Sequence, residues 1–187
     1  MRIVIGITGA TGACYARSLL TWLANAGRDR GIQTDVVLTK AGRMVWQHEL
    51  KSDPAELGHR IWAPNDFFAP FASGSARVDG MAIAPCTAGA LARIATGQAS
   101  DLLARAGEVM LKERKKLVLL YREAPLSLIQ IENLRTVTLA GAVVVPAAPA
   151  FYTNPETLDE VVDDLAGRVL DQLGIDNDLV RRWEGAR

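Results

Sequence analysis

Charged and hydroxyl side chains stand next to the apolar runs of this sequence, where they could bind a ligand. The run 117–121 ends in Arg122-Glu123-Ala124-Pro125, which puts a cation and a carboxylate side by side before a proline. Lys112 precedes this run, and Tyr152 follows the next one. If the runs are parallel strands, their carboxyl ends meet at one edge of a sheet, where open α/β sheets bind ligands. The sequence therefore predicts a binding site with charged residues at that edge.

A glycine-rich turn, Gly6-Ile7-Thr8-Gly9-Ala10-Thr11-Gly12-Ala13, follows the first apolar run. Glycines three apart permit a tight turn, and the helix that follows should offer a phosphate free N–H groups and the positive end of its dipole. Dehydrogenases share this spacing, and a strand–helix turn without a ligand would also use glycine. The turn alone leaves these alternatives open.

The ends of the next two runs favour a phosphomonoester over a dinucleotide. They read Leu38-Thr39-Lys40 and Ala84-Pro85-Cys86-Thr87. NAD-binding enzymes normally carry an acidic residue at the first of these positions to bind the ribose, whereas this chain has a hydroxyl and a lysine. Three strand ends with hydroxyls and N–H groups suit a single phosphate such as that of FMN, with an NADP-binding protein as the alternative.

Five short apolar runs alternate with amphipathic segments along the chain and predict its fold. The runs are 3–8, 34–38, 80–84, 117–121 and 142–145. Continuous runs rich in Val, Ile and Leu are typical of strands that are covered on both faces. Apolar residues at helical spacing lie between them and, most clearly, from Leu158 to Leu173. We predict one domain over residues 1–187, a doubly wound three-layer α/β fold of the flavodoxin or Rossmann type.

The composition limits the partners and the compartment. The 187 residues contain 21 acidic and 21 basic side chains and no long charged tract, which argues against nucleic acid or a charged membrane surface as partner. No apolar run approaches the roughly 20 residues that cross a bilayer, and the chain begins without a signal-peptide pattern. Cys14 and Cys86 form no CxxC pair and are expected to be reduced thiols. We expect a cytoplasmic protein.

The segment 62–78 is the one long stretch without regular periodicity. It contains prolines, small residues and three phenylalanines, Phe67, Phe68 and Phe71. Long loops in compact domains are usually functional, and the aromatic content argues against disorder. Packing against a neighbouring subunit is an alternative that is compatible with function. We predict that Phe68 and Phe71 pack in the core.

Several residues of types that can bind metals or act as nucleophiles are better explained by structural roles than by functional ones. Asp159-Glu160-Val161-Val162-Asp163-Asp164 superficially resembles an acidic metal motif. Its apolar positions fall on the stripe of the last helix, so we predict that the acids form a solvated face near the helix N-terminus. His48 and His59 lack the partners of a zinc site, and Cys86 is predicted to be a packed turn residue. We therefore expect no metal.

These residues give the chain a resemblance to the UbiX-type flavin prenyltransferases, within the homo-oligomeric flavin-containing cysteine decarboxylase superfamily. The matching motifs occur in the same order between residue 3 and about residue 183. They include Thr8-Gly9-Ala10-Thr11-Gly12-Ala13, Ala72-Ser73-Gly74-Ser75, Pro85-Cys86-Thr87, Arg122-Glu123-Ala124-Pro125-Leu126, Pro149-Ala150-Phe151-Tyr152 and Gly167-Arg168-Val169-Leu170-Asp171.

The resemblance implies a metal-independent reaction in which reduced FMN receives the dimethylallyl group of dimethylallyl phosphate, giving prenylated FMN for a UbiD-type decarboxylase. The implied FMN-binding residues are Gly9, Ala10, Thr11, Thr39, Ser73, Thr87, Ala88, Gly89, Ala90, Arg105 and Arg122. The implied substrate-binding residues are Lys112, Arg122, Tyr152, Arg168, Ala72 and Ser73, and the implied catalytic residues are Glu123, Glu49, Thr11 and Phe67. The resemblance also implies a homo-oligomer, expected to be a dodecamer, with sites at the subunit contacts.

The sequence departs from the common pattern of this family at four positions, with Thr11 in place of serine, Phe67 of tryptophan, Ala90 of a hydroxyl residue and Gln130 of histidine. Two rival functions remain: an FMN-dependent cysteine-type decarboxylase and a non-catalytic flavin-binding protein of the same fold.

Glu123 could be no more than an ion-pair partner of Arg122, and Glu49 could be an ordinary carboxylate at a helix end.

Overall fold

Six parallel strands form a single sheet in the computed structural model, which describes residues 1–183 and 185. The strands are β1 (Arg2–Ile7), β2 (Gln33–Leu38), β3 (Arg60–Trp62), β4 (Gly80–Cys86), β5 (Lys116–Tyr121) and β6 (Val143–Pro146). Their order in the sheet is β3-β2-β1-β4-β5-β6. This is the strand order of the Rossmann fold, and without the short β3 it is that of flavodoxin. The predicted fold class is confirmed.

Helices cover both faces of the sheet and complete the three layers. They are α1 (Ala13–Trp22), α2 (Lys40–Leu50), α3 (Ala88–Ala95), α4 (Leu102–Lys112), α5 (Leu128–Leu139) and α6 (Leu158–Leu173). Buried side chains of α1, α2 and α6 pack on one face, and those of α3, α4 and α5 pack on the other. Among the described residues, no helix is long and apolar enough to cross a membrane.

Hydroxyl and carboxylate side chains fix where most of these helices begin. Each accepts a hydrogen bond from a backbone N–H of the first helical turn, which would otherwise lack a partner. The residues are Thr39 for α2, Thr87 for α3, Asp101 for α4, Ser127 for α5 and Thr157 for α6. Thr39 and Thr87 directly follow strands, so α2 and α3 begin at the carboxyl edge of the sheet.

The short strand β3 is the one strand that the apolar pattern did not predict. Its three residues are too few to show a periodicity, and a buried polar contact holds it instead. Trp62 Nε1 donates to Asp35 Oδ1 at 2.8 Å, and Arg2 Nε donates to Asp35 Oδ2 at 2.8 Å. Asp35 is only 5% exposed, and burying a carboxylate is costly unless its oxygens accept hydrogen bonds. The two contacts from Trp62 and Arg2 supply these bonds.

The phenylalanines of the segment 62–78 lie in three different environments. Phe71 is fully buried and meets the Trp62 ring edge-to-face, with the ring centroids 5.7 Å apart. Phe68 is 97% exposed, so the prediction that it packs in the core of this chain is wrong. Its N–H donates to Asp66 Oδ1 in a local turn that directs the side chain outward. Phe67 is 47% exposed.

The acidic stretch of α6 also differs from the prediction at one residue. Asp159 and Asp163 lie near the surface and contact Arg17 and Ser18 of α1. Asp164 is buried, and its Oδ1 has no hydrogen-bond partner among the described residues. Burial raises the pKa of this carboxyl above its ordinary value. The solvated face does not include Asp164, because the chain after α6 folds back beside this side of the helix.

Removing the Phe71 ring should destabilise the fold strongly. We expect Phe71→Ala to lower the free energy of unfolding by about 3–5 kcal/mol, because a large buried side chain leaves a cavity. Phe71→Leu, which keeps most of the apolar volume, should cost less than about 1.5 kcal/mol. Urea unfolding of both variants measures the difference. Equal stability of Phe71→Ala and the wild type would contradict the assignment of Phe71 to the core.

Candidate active site at the carboxyl edge of the sheet

The buried hydroxyl of Thr8 joins the ends of the two central strands. Thr8 Oγ1 donates to the backbone oxygen of Pro85 at 2.6 Å and accepts from the N–H of Thr87 at 3.0 Å. β1 and β4 are neighbours in the sheet, so this bridge fixes the glycine turn after β1 against the start of α3. The residues predicted to bind a phosphate therefore lie on two segments that are held at a fixed separation.

The start of α3 has hydrogen-bond donors available for an anion. Thr87 Oγ1 accepts from the N–H of Ala90 at 3.2 Å and keeps its own hydrogen for another acceptor. The N–H groups of Ala88 and Gly89 belong to the first turn and have no partner within the helix. Free N–H groups at a helix N-terminus favour a phosphate. These donors fit the phosphate of FMN.

Thr39 occupies the equivalent position at α2 but has less capacity for a ligand. Its Oγ1 accepts from the N–H of Gly42 at 3.0 Å and donates to the oxygen of Ile7 at 3.1 Å. The hydroxyl hydrogen is therefore already engaged. Thr39 and Lys40 line a cavity of about 580 Å³ at the ends of β2 and β3, which also includes Arg43.

The glycine turn does not have the free helix start that the sequence predicted. Gly12 and Ala13 donate their N–H groups to Glu49 Oε2 at 3.0 and 2.8 Å, and Thr11 Oγ1 donates to Glu49 Oε1 at 2.5 Å. Glu49 reaches the turn from the last turn of α2. A carboxylate at a helix N-terminus is favoured by both the hydrogen bonds and the dipole. The free donors expected at Gly12 and Ala13 are thus occupied by the protein itself.

The contacts of Glu49 keep its carboxylate ionised. Burial acts to raise its pKa, but the hydrogen bonds from Thr11, Ala13 and Gly12 together outweigh this effect and lower the pKa below 4.5. At neutral pH, Glu49 is therefore a hydrogen-bond acceptor that orients the Thr11 hydroxyl. It is more than an ordinary carboxylate at a helix end, since it joins α2 to the glycine turn.

The turn also needs glycine for steric reasons at two positions. Gly12 adopts a φ of 103°, a backbone conformation that side chains disfavour. At Gly9, a Cβ would lie 2.5 Å from the Cβ of Ala41. The glycines therefore let the turn approach α2 closely, which brings Thr11 within reach of Glu49.

Arg122 and Glu123 follow β5 at the same edge of the sheet. The N–H of Arg122 donates to the oxygen of Cys86 at 3.2 Å, which places this residue beside the end of β4. The Arg122 side chain is exposed and forms no ion pair with Glu123, whose Oε1 accepts from the N–H of Ala124 at 3.1 Å. The simple ion-pair alternative is not formed. Arg122 offers a cation at the edge where the donors of α3 lie.

The neighbouring Cys86 is a packed core residue. Its side chain is fully buried, and burial raises the pKa of its thiol to about 12. A thiol with so high a pKa is not a thiolate at neutral pH, and the thiolate is the nucleophilic form. The interpretation of Cys86 as a structural residue agrees with this environment.

Lys112 lies at the other edge of the sheet in the same chain. It is in the last turn of α4, just before β5 begins, whereas Arg122 follows the end of β5. A strand of six residues is roughly 20 Å long. Lys112 Nζ contacts the Glu113 carboxylate, and both side chains lie against Gly74. One chain therefore does not bring Lys112 and Arg122 together.

The predicted residues Ala72, Ser73 and Arg105 form a second group near α4. Arg105 Nε donates to the oxygen of Ala72 at 3.0 Å, which attaches the turn to the first half of α4. Ser73 Oγ lies 3.0 Å from Ser75 Oγ. The turn is thus ordered by polar contacts, and it shares the Gly74 neighbourhood with Lys112.

Tyr152 and Arg168 belong to a third group, which includes the end of the described chain. The Tyr152 ring meets the Trp183 ring edge-to-face, with centroids 5.5 Å apart. Arg168 Nη1 donates to Asp171 Oδ2 at 2.8 Å, and Arg182 Nη1 donates to the same oxygen at 2.6 Å. Sequence reasoning missed Asp171 and Arg182 as partners of this group. Both residues are visibly charged in the sequence, but only the folding of the chain after α6 brings Arg182 next to Asp171.

The described residues contain no group of three or more histidine, cysteine or acidic side chains that could hold a metal ion.

Comparisons with known proteins agree on one family. A family model described as "Flavoprotein" matches residues 1–170. A probable UbiX-like flavin prenyltransferase of Bacillus subtilis (strain 168) is 43% identical over 188 residues, covering 99% of this chain and 90% of the relative. This chain belongs to the UbiX-type flavin prenyltransferase family.

Solved structures of the UbiX type have the same fold over the whole chain. AnUbiX (PadA1), crystallised with FMN and dimethylallyl pyrophosphate, is 39% identical with a TM-score of 0.93, covering 100% of this chain and 98% of that one. A dodecameric FMN-dependent UbiX-like decarboxylase from Escherichia coli O157:H7 is 40% identical with a TM-score of 0.93, covering 99% and 100%. The FMN-dependent cysteine decarboxylase SpaF, at 19% identity and a TM-score of 0.62, shares the fold alone.

The Glu49 contacts predict a pH-dependent stability. The pKa of Glu49 is lower in the folded chain than in the unfolded one, so its contribution is present above pH 4.5 and is lost as the pH falls through the folded value. We expect Glu49→Gln to lower the free energy of unfolding at pH 7 by about 0.5–2 kcal/mol. The gap between variant and wild type should close in acid.

Urea unfolding over a range of pH measures this gap. Glu132→Gln, which changes an exposed carboxylate of α5, serves as the control and should shift stability by less than about 0.5 kcal/mol. A gap for Glu49→Gln that stays constant from neutral to acidic pH would refute the assigned role.

Proposed function

We propose that this chain is a flavin prenyltransferase that joins the dimethylallyl group of dimethylallyl phosphate to reduced FMN without a metal ion. The observation that carries this proposal is the set of donors at the start of α3, which lies at the same sheet edge as the exposed cation Arg122. Membership of the family adds support, since AnUbiX binds FMN and dimethylallyl pyrophosphate.

The start of α3 is the proposed site of the FMN phosphate. Thr87 would donate its hydroxyl hydrogen, and the N–H groups of Ala88 and Gly89 would add two further bonds. The start of α1 is a poorer site, because the ionised Glu49 would repel a second anion there. When bound, reduced FMN supplies the nucleophilic ring to which the prenyl group is joined. Glu49 would then hold the Thr11 hydroxyl in a fixed orientation.

Positive side chains would stabilise the departing phosphate. As the bond between the allylic carbon and the phosphate oxygen breaks, negative charge grows on the phosphate, and preorganised cations bind it more strongly in the transition state. Each charge-assisted contact contributes about 1.5–3 kcal/mol. We assign this role to Lys112, Arg122, Arg168 and the Tyr152 hydroxyl. Three cations and a phenol together could replace a metal ion.

The prenyl group needs an apolar surface with π electrons. Phe67 is half exposed and is available to contact a ligand, and cation–π attraction for an allylic cation is about 0.5–2 kcal/mol. The turn at Ala72 and Ser73 offers small side chains. We assign Phe67 and this turn to the prenyl pocket, with Glu123 as the carboxylate that handles protons near the ring.

We infer that several copies of the chain assemble to complete the site. Lys112 lies near the amino end of β5 and Arg122 lies at its carboxyl end, so a single chain cannot place both on one phosphate. Large apolar side chains are also exposed, which marks interaction surfaces: Phe68, Leu128, Ile129, Leu139 and Phe151. A related E. coli protein is dodecameric. We expect a dodecamer here, with residues 1–187 as one FMN-binding domain in each copy.

The proposed product, prenylated FMN, implies a second protein that uses it. Prenylated FMN would be delivered to a UbiD-type decarboxylase, and we expect both proteins in the cytoplasm. Either the monophosphate or the diphosphate could be the natural donor, since the proposed cations bind both kinds of anion.

An anaerobic assay tests the proposal directly. Protein, reduced FMN and dimethylallyl phosphate are mixed, and the release of phosphate and the mass of the flavin are followed. We expect a mass gain equal to one five-carbon prenyl unit. Lys112→Ala and Arg168→Ala should each lower kcat/KM at least about tenfold while leaving FMN bound, because each removes a charge-assisted contact.

Arg17→Ala is the control, since it removes an exposed arginine that pairs only loosely with Asp159 at 3.6 Å. It should leave turnover unchanged. A flavin whose mass does not change with either the phosphate or the diphosphate donor would favour a non-catalytic flavin-binding protein instead.

A further inference from the structure

Asp171 is the centre of a polar cluster that joins α6 to the chain following it. Its Oδ2 accepts from Arg168 Nη1 at 2.8 Å and from Arg182 Nη1 at 2.6 Å. Its Oδ1 accepts from Arg182 Nη2 at 2.8 Å and from Asn177 Nδ2 at 2.9 Å. The Asp171 side chain is 14% exposed, whereas about half of each arginine side chain is exposed. One nearly buried carboxylate thus holds two exposed guanidinium groups.

The two guanidinium groups are held closer than their charges alone would allow. Both contact the same oxygen atom, so their Nη1 atoms are separated by no more than the two hydrogen-bond lengths together. Like charges at this range repel, and the carboxylate between them offsets that repulsion. Burial acts to raise the pKa of Asp171, but the bonds from Arg182 and Asn177 and the charge of Arg168 lower it, so the carboxylate is ionised. The three side chains of Arg168, Asp171 and Arg182 together carry one net positive charge.

Both arginines still have donors for a ligand. A guanidinium has five N–H donors, and Arg168 uses one nitrogen, Nη1, in its contacts with the described residues. Arg182 binds Asp171 through both terminal nitrogens, which fixes the plane of the group. Planar, fixed guanidinium groups recognise phosphate through paired hydrogen bonds. The cluster therefore has the chemistry of an anion site.

Arg182 also lies beside Tyr152, which the reaction proposed above assigns to the substrate phosphate. Tyr152, Arg182 and Trp183 line one cavity of about 490 Å³. The Trp183 ring packs on Tyr152 in this region. Arg181 lines the cavity as well, but its Nη1 is bonded to the oxygen of Thr153 at 3.0 Å. Arg182 is thus the residue that connects Tyr152 with Arg168.

We propose that Arg182 is a further phosphate-binding residue of the prenyl-donor site and that Asp171 is the positioning residue that holds Arg182 beside Arg168. This inference rests on the proposed function and extends it to two residues. The ligand group is the phosphate, or the terminal phosphate of a diphosphate, of an allylic donor. Its occupant would contact the Arg168–Arg182 pair on one side and the Tyr152 hydroxyl on the other.

Replacing Asp171 separates positioning from simple charge neutralisation. If Asp171 only neutralised the arginines, Asp171→Asn would make the cluster more positive, and phosphate would bind more tightly. If Asp171 positions them, the released guanidinium groups repel one another and move apart, and phosphate binds more weakly. The two roles predict changes of opposite sign.

Titration of inorganic phosphate into the FMN-loaded protein, followed by calorimetry, measures this sign without any turnover. Bound FMN occupies its own phosphate site, so the added phosphate reports on the donor site. We expect Arg182→Ala to weaken phosphate binding by at least about tenfold, as for the loss of one charge-assisted contact. Asp171→Asn should also weaken binding, Asp171→Glu should restore part of it, and the Arg17→Ala control should leave it unchanged.

Three results would overturn the inference: no phosphate binding by the wild type, tighter or unchanged binding by Asp171→Asn, or binding by Arg182→Ala within about twofold of the wild type. Size-exclusion chromatography checks that each variant assembles like the wild type. If Asp171→Asn fails to fold, Arg182→Ala and Arg182→Lys still decide the role of Arg182, because Lys keeps the charge but loses the paired contact.

Turnover separates this inference from the proposed function. If the wild type binds phosphate through this pair but never prenylates FMN, the anion site stands and the prenyltransferase assignment fails. If FMN is prenylated and Arg182→Ala leaves the KM for dimethylallyl phosphate unchanged, the prenyltransferase assignment stands and the inference fails.

Discussion

The length of the parallel strands is the constraint on which the proposed site depends. The donors at the start of α3 and the cation Arg122 lie at the carboxyl edge, and Lys112 lies at the amino edge, roughly 20 Å away. No side chain is long enough to bridge that distance. A phosphate bound by both Lys112 and Arg122 must therefore lie between different copies of the chain, and the exposed apolar side chains indicate where copies could meet.

Carboxylates of the protein determine which of its positive sites remain available to a ligand. Glu49 occupies the start of α1, so the donors of α3 are the better phosphate site at the same edge. Asp171 accepts hydrogen bonds from the guanidinium groups of Arg168 and Arg182 and leaves other N–H donors on each of them. In each case an ionised, hydrogen-bonded acid fixes a nearby polar group, the Thr11 hydroxyl in one and Arg182 in the other. The proposed site combines these preorganised groups, which is what charge stabilisation in a transition state requires.

Features with a local sequence signal were predictable, and those created by tertiary contacts were not. The apolar runs predicted five strands and the fold class, since buried parallel strands are continuous in composition. The strand β3 was missed because a polar contact to Asp35 holds it. Phe68 and Phe71 have the same side chain only three residues apart, yet Phe68 is exposed in the turn at Asp66 and Phe71 packs against Trp62. The capping of α1 by Glu49 joins residues far apart in sequence, so no local sequence pattern predicts it.

Subunit complementation tests the central claim most directly. Lys112→Ala and Arg122→Ala chains each lose most of their activity by this account; they are mixed in equal amounts, unfolded together and reassembled. If the two residues act on one phosphate from different chains, about one quarter of the sites in randomly mixed oligomers contain both wild-type residues, and prenylation of FMN returns to about that fraction of wild-type activity. If both residues act from the same chain, no mixed oligomer has an intact site, and activity that stays at the level of the separate variants would contradict the account.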